Sequence, residues 1–293
     1  MRERTFMRLM ILPALLVFIF VGLYPSLEGL FNSFTNYRLT DIAPRSFAGL
    51  DNYITMFTEP RFWQALGRTL IFVGSSVFFT YLIGLIVSLM LTKTKGMRNL
   101  YRIIFLVPMI IAPTITALNF RFMYDYNFGI INALLEMVRL PTVDFLGNPS
   151  LALYSALLVD IWQGIPLAML ILLAGLEALP ASLYEAAKID GAGAWQRFRF
   201  VTMPLLKRFS VIVIILRTMD SLRVFETIQL LTGGGPGTSS ETLNIYIATV
   251  GFSWFDMGYA AALGIFTLYF VMILASRVIK LTGIFRSEEG EAK

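Results

Sequence analysis

The sequence predicts an all-α integral membrane protein of about six transmembrane helices, and three observations lead there. Hydrophobic residues make up 57% of the chain and charged residues only 15%, where a soluble domain carries roughly 25% charged residues. The mean hydropathy is +0.71. Apolar runs of about 20 residues, the length needed to cross a bilayer, recur along the 293 residues, and basic residues gather in alternate loops. Cys and His are both absent, which excludes disulfides and thiol chemistry and removes the usual actors of nucleophilic and metal-dependent catalysis. No catalytic, metal or cofactor-binding residue is predicted. The formal charge of +5 could point to nucleic acid, but a membrane protein collects Lys and Arg at its inner face anyway, so no nucleic-acid partner is inferred.

Residues 1–293 read as one transmembrane domain, and its elements follow in order. The first run, Leu9–Phe31, comes after a basic start. It is long for a signal peptide, contains Pro13, and ends in Tyr24-Pro25-Ser26 without a small-x-small cleavage site, so an uncleaved helix is expected. Phe47–Phe57 and then Phe62-Trp63 form an amphipathic stretch with aromatics suited to a membrane interface. The second run is Thr69–Leu91. The third, Ile103–Tyr124, holds Pro108 and Pro113, which should break it, beside Thr114, Thr116 and Asn119. The fourth, Leu151–Leu176, holds Asp160-Ile-Trp-Gln-Gly-Ile-Pro166, where Pro166 should kink the helix and free a carbonyl beside Trp162, Gln163 and Gly164. A packing kink explains that stretch equally well. The fifth run is Leu205–Leu231 and the sixth Tyr259–Leu281. Between them Leu231–Thr238 is a tight glycine turn that lacks the Gly-Lys-Ser/Thr ending of a phosphate loop.

Orientation follows from the basic residues. Arg2, Arg4, Arg8; Lys93, Lys95, Arg98, Arg102; Lys188, Arg197, Arg199, Lys207, Arg208; and Arg277, Lys280, Arg286, Lys293 fall in one set of loops. Both termini are therefore expected in the cytoplasm, together with the segment Pro180–Pro204. That segment reads as two short helices at a glycine elbow. Ser182 with Glu185 forms a capping-box pattern, and Gly191 supplies a left-handed stop after Asp190. A second helix from about Ala194 puts Trp195, Phe198 and Thr202 on one face and Gln196, Arg197 and Arg199 on the other, and Pro204 opens a new segment. A compact, basic, partly apolar knob at a membrane surface is built to dock something.

Polar groups within a span are costly and are functional hypotheses by default. The fifth run carries Arg217, Asp220, Arg223 and Glu226 at steps of three, so the ladder can pair along itself. Its four members turn through roughly half a circle, and Arg217 and Asp220 should face a wet cavity or another helix. Bracing of the bundle and contact with a cargo are both open readings.

Glu185-Ala-Ala, Asp190-Gly191-Ala192 and Pro204 resemble the cytoplasmic EAA loop of permease subunits in binding-protein-dependent ABC importers. The resemblance extends over nearly the whole chain. Tyr24-Pro25, Ser33-Phe34-Thr35, Gly49-Leu-Asp-Asn-Tyr53, Phe62-Trp63 and Thr69 match the carbohydrate branch, as do Phe105-Leu-Val-Pro108 and Gly129-Ile-Ile-Asn132. Thr232-Gly-Gly-Gly-Pro236 with Glu241-Thr242 is MalF-like. The chain lacks the large outer domain and extra helices of the maltose protein and so resembles a compact six-span form.

The resemblance implies the type I ABC importer permease fold. Glu185, Ala186, Ala187, Asp190, Gly191 and Ala192 would couple the chain to an ATPase, and ATP and Mg would sit on that separate ATPase dimer. Other partners would be a second, MalG-like permease subunit, an extracytoplasmic solute-binding protein and membrane lipid. The cargo would be a sugar, oligosaccharide or polyol, contacted by Gln163, Gly164, Arg217, Asp220 and Ser221, with Asn119 and Thr116 as weaker candidates. An anionic sugar or sugar phosphate is the alternative cargo. A proton-coupled secondary carrier is the rival of another class, prompted by Asp220 and Glu226. A membrane-embedded enzyme would need a catalytic cluster that the sequence does not show.

Overall fold

The computed structural model describes residues 2–282 apart from Ala43 and Lys95, with side chains from Met10 to Arg277. Of the basic residues used for orientation, Lys95, Arg286 and Lys293 lie outside the described residues. The chain divides into two compact units, Met1–Ala65 with Tyr246–Phe270, and Leu66–Ile245 with Val271–Lys293. In chain order the helices are α1 (Arg2–Val17), α2 (Tyr24–Asn32), α3 (Asp51–Thr58), α4 (Pro60–Lys93), α5 (Arg98–Ile110), α6 (Pro113–Met123), α7 (Ile130–Met137), α8 (Ala152–Glu177), α9 (Ala181–Ile189), α10 (Ala194–Arg197), α11 (Met203–Leu222), α12 (Glu226–Leu231), α13 (Leu243–Ala248) and α14 (Met257–Thr282).

Among the described residues, four helical stretches are long and apolar enough to cross a membrane: Met10–Asn32, Pro60–Lys93, Ala152–Glu177 and Met257–Arg277. The expected third span is not one rod. Its halves α5 and α6 meet at 94°, because Pro113 opens α6 and the residues before it, Ile111 and Ala112, are extended, as the proline ring demands of its predecessor. The expected fifth span also ends early. Helix α11 stops at Leu222, and the side-chain amide of Asn244 donates to the carbonyls of Leu222 (2.9 Å) and Val224 (3.1 Å). That caps carbonyls that a helix terminus leaves open, and α12 restarts at Glu226. Helix α11 is 20 residues long, enough to span a bilayer, but Lys207, Arg208, Arg217 and Asp220 make it less apolar than the other four. Helix α8 carries Pro166 inside it and runs from Ala152 to Glu177 without interruption.

Two prolines share one device. A π-helical stretch, Phe18–Leu23, precedes Pro25, and another, Phe198–Thr202, precedes Pro204. Proline lacks the N–H that the fourth carbonyl back expects and its ring crowds that carbonyl. A π turn shifts the hydrogen-bond register just there. Pro204 therefore does not open a separate segment: α10, the π turn and α11 form one uninterrupted helix, since Phe198, Arg197, Thr202 and Met203 all keep right-handed helical angles.

In the first unit, two of the quoted sequence stretches meet. The Asn52 amide donates to the carbonyls of Ser33 (3.0 Å) and Thr35 (2.8 Å), and the Tyr53 hydroxyl donates to Ser33 Oγ (2.8 Å). Phe57, Phe62 and Phe266 pack edge to face, with centroids 5.1–6.0 Å apart. Arg61 lies 5.3 Å from the Tyr246 ring centroid and 4.9 Å from that of Trp254, close enough for cation–π attraction.

The core of the second unit is built from separate buried clusters. Phe72 of α4, Ala117 of α6, Ala156 and Val159 of α8, and Ile228 of α12 form one buried cluster. Leu85, Ala168, Leu172, Leu206 and Val213 form another that ties α4 and α8 to α11. Burying such side chains stabilises by about 1.5–3 kcal/mol each. The glycine turn is as tight as expected, with positive φ at Gly233, Gly234 and Gly237 and Ser240 Oγ donating to the Gly235 carbonyl at 2.7 Å.

Candidate functional site

Two features of the second unit carry chemistry, and the continuous helix through α11 joins them. The first is a cavity of about 460 Å³ near the end of α11. Ile111 and Pro113, at the break between α5 and α6, supply part of its lining. Helix α8 supplies Asp160, Gln163 and Gly164, and the end of α11 with the following turn supplies Arg217, Asp220, Arg223 and Glu226.

Arg217 and Asp160 are the closed part of this wall. The Arg217 guanidinium donates to Asp160 Oδ2 at 2.7 Å, to Ser76 Oγ at 2.8 Å and to Ser221 Oγ at 3.3 Å. Ser221 in turn donates to Ser76 at 3.0 Å, and Ser76 to Asp160. The side chains of Arg217 and Asp160 are only 7% and 12% exposed. Three helices, α4, α8 and α11, are thus clamped by one ion pair and two hydroxyls. Gly164 makes the seat: a Cβ there would lie 2.5 Å from the guanidinium carbon of Arg217. Arg217 Nε is buried without a hydrogen-bond partner in the described structure.

The expected pairing along the helix is therefore replaced by pairing across it. Arg217 takes Asp160 of α8, not Asp220 one turn away. The reason is burial: a charge nine-tenths enclosed needs a partner that is enclosed with it, and Asp220 is exposed. Asp220, Arg223 and Glu226 all line the cavity with exposed side chains, and none has an ion pair among the described residues.

The remaining cavity candidates divide. The Gln163 amide donates to the Ile111 carbonyl at 3.0 Å, so it holds the broken span open at its corner. Ser221 is buried within the Arg217 cluster. Asn119 donates to the Ile115 carbonyl of its own helix at 2.9 Å, Thr116 is buried, and neither lines the cavity. Sequence reasoning gives no role to Asp160 or Ser76. Asp160 carried a signal, a lone carboxylate in an apolar span; Ser76 carried none.

The second feature is the knob, 180–204. Gly191 has a φ of +77° and sits directly after Asp190, the cap of α9, as the glycine stop predicts. The capping box at Ser182 does not form. Pro180 is the N-cap, no side chain caps α9, and Ser182 lies inside the first turn. The helical register starts one residue after the proline, whose fixed φ is already near helical. A side-chain clasp appears instead one helix later, where Gln196 Oε1 accepts the Gly193 N–H at 2.7 Å. Arg197 Nη1 donates to the Ala192 carbonyl at 2.5 Å, and Tyr184 and Thr202 share a 2.9 Å hydrogen bond. The elbow is thus braced from three sides.

Its outer surface mixes polar and large apolar side chains. Glu185, Ala186, Asp190 and Gly191 are exposed, Ala187 and Ala192 are half-buried, and Ile189, Trp195 and Phe200 are 86%, 70% and 74% exposed. Ala187, Asp190, Gly191 and Ala192 line a hollow of about 300 Å³ with Phe200 and Val201.

Comparisons with known proteins identify the family and the fold. The model of the family described as "Binding-protein-dependent transport system inner membrane component" matches residues 53–281. The chain is 36% identical over 289 residues to the trehalose/maltose transport system permease protein MalF of Thermococcus litoralis, covering 98% of this chain and 96% of that one. It is 33% identical to the sulfoquinovosyl glycerol transport system permease protein SmoG of Agrobacterium fabrum, covering 90% and 85%. Its structure superposes with a TM-score of 0.82 and 25% identity on a chain of a bacterial ABC transporter involved in the import of the acidic polysaccharide alginate, covering 96% of each.

Proposed function

Because the chain belongs to the binding-protein-dependent transport system inner membrane component family, we propose that it is the MalF-like half of a permease that imports a neutral sugar, oligosaccharide or polyol at the expense of ATP hydrolysed on a separate subunit. The observation that carries this reading is the single helix running from the knob to the cavity. Residues 194–222 are helical throughout, and α11 alone spans about 30 Å at 1.5 Å per residue. A displacement of Trp195 or Phe200 is transmitted along a stiff rod to Arg217 and Asp220. The clamp of Arg217 on Asp160 and Ser76 then passes it to α8 and α4.

The knob is the ATPase contact in this reading. Ile189, Trp195 and Phe200 offer an apolar surface that a cytoplasmic protein can cover, and the hollow at Gly191 accepts a side chain from it. Both termini lie on the same, cytoplasmic side, by the distribution of basic residues. ATP and Mg belong to the ATPase dimer. A MalG-like companion completes the pathway in this reading, and an extracytoplasmic binding protein delivers the cargo, which the name of the family supports.

Charge selects among cargoes. The cavity wall holds three carboxylates, Asp160, Asp220 and Glu226, against two guanidinium groups, Arg217 and Arg223, and Arg217 is already neutralised by Asp160. The exposed remainder is net negative. It repels an anionic sugar and leaves carboxylate and guanidinium groups to hydrogen-bond hydroxyls. The test is uptake into proteoliposomes holding the chain with its co-purified subunits and binding protein. ATP-dependent accumulation of a labelled neutral disaccharide is the expected result. Uptake driven by a proton gradient without an ATPase, or uptake restricted to anionic sugars, overturns the reading.

A further inference from the structure

A groove of about 790 Å³ opens between the knob and the ends of α4 and α8; Glu185 and Trp195 on its knob side belong to the proposed ATPase contact, while the side built by α4 and α8 serves neither that contact nor the cargo. Leu89, Leu176, Leu179 and Phe198 give it apolar lining. Lys93, Lys188 and Arg197 give it positive charge, against Glu185 as the one carboxylate among its described lining residues. Lys93 and Lys188 are exposed and have no ion pair among the described residues. Trp195, largely exposed, lies on the same groove.

Depth matters as much as charge. Leu89 and Lys93 are one turn apart at the end of α4, and Leu176 is in the last turn of α8, both helices being of membrane-crossing length. The groove therefore starts where two spans lose their apolar character and ends among ammonium groups, the gradient between acyl chains and headgroups. Basic residues at that level attract anionic lipid, and a tryptophan is the side chain most at home there.

We propose that this groove binds an anionic phospholipid, its upper acyl chain against Leu89, Leu176 and Phe198 and its phosphate between Lys93, Lys188 and Arg197. The proposal rests on the chain lying in a membrane and is independent of the cargo.

Native mass spectrometry of the detergent-solubilised full chain, with whatever subunits co-purify, tests it. Phosphatidylglycerol is titrated against phosphatidylcholine of the same acyl chains. The expected result is about tenfold stronger retention of phosphatidylglycerol, lost in the double variant Lys93→Gln/Lys188→Gln and kept in Lys207→Gln, an exposed charge outside the groove. All three positions are exposed, and the conservative pair Lys93→Arg/Lys188→Arg, which keeps the charge, should keep the lipid. Equal retention of the two lipids, unchanged binding in the double variant, or equal loss in Lys207→Gln overturns the proposal. Displacement of the lipid by equimolar glycerol phosphate also overturns it, since the site would then be one for a soluble anion.

Discussion

The two ends of the helix through α11 are built on opposite principles. At the knob, apolar side chains point outward and the polar groups tie the segment to itself: Gln196 to the Gly193 N–H, Arg197 to the Ala192 carbonyl, and the Tyr184 hydroxyl to that of Thr202. At the cavity, apolar residues form the core and charged groups face inward, with Arg217 closed on Asp160 while Asp220, Arg223 and Glu226 stay open. A joint meant to be gripped needs a rigid backbone and a surface that gains by being covered. A passage for a polyhydroxylated solute needs polar groups that are already satisfied, so that they do not collapse on one another, beside others left free. The difference separates what must be stiff from what must be wet.

The largest effect that could break this contrast comes from the clamp. Removing one member of a buried ion pair leaves an uncompensated charge and costs about 3–5 kcal/mol. Arg217→Ala and Asp160→Ala should each lower the unfolding midpoint in detergent sharply and reduce the amount of protein reaching the membrane. An apolar double replacement, Arg217→Met with Asp160→Leu, should be less harmful than either single change, because both charges leave together. If the single changes leave stability untouched, the clamp is not the brace described. Next in size is the seat at Gly164. Gly164→Val puts side-chain atoms where the guanidinium sits, and overpacking of this kind costs about 1–3 kcal/mol. Uptake should fall at least tenfold while the amount of co-purifying ATPase stays unchanged.

At the other end the same contrast predicts a different pattern. Gly191 takes a φ that costs other residues about 1–2 kcal/mol, and it is exposed. Gly191→Asp and Glu185→Lys should therefore leave the folded chain in the membrane but lower the amount of ATPase that co-purifies and abolish ATP-driven uptake. Normal ATPase association in both variants would remove the knob from the coupling path.

These differences also explain what could be read from the sequence. The knob was legible because its determinants are local: a glycine after an aspartate, a basic face and an apolar face within 25 residues. Even so, its first cap was misplaced, since Pro180 begins α9 without help from Ser182. The clamp was not legible, because Ser76, Asp160 and Arg217 are far apart in the chain and nothing local distinguishes Ser76 from any other serine in a helix. Arg217 with Asp220 looked a natural pair at a spacing of three. Burial decided otherwise, and burial is a property of the whole bundle. The broken third span was half legible: Pro113 marked the place of the 94° turn, whereas Pro108 sits inside α5 without breaking it, and the Gln163 contact to the Ile111 carbonyl comes from another helix.

The smallest expected effect is the most informative about cargo. Asp220, Arg223 and Glu226 are exposed and unpaired among the described residues, so replacing any of them should leave stability unchanged. What should move is the apparent KM for uptake. Glu226→Gln and Asp220→Asn keep hydrogen-bonding capacity and remove repulsion. A neutral disaccharide should then show a KM altered by no more than about threefold, while a sulfonated or uronic sugar, excluded before, should begin to compete, since removing one exposed like charge is worth about 1 kcal/mol or less. Arg223→Gln should do the reverse, making the passage more hostile to anions. If instead Arg223→Gln abolishes uptake of the physiological cargo and the carboxylate variants leave it unchanged, the guanidinium is a ligand and the cargo is an anion. The open charges would then be a binding site rather than a filter, and the cavity would resemble the clamp beside it more than it differs from it.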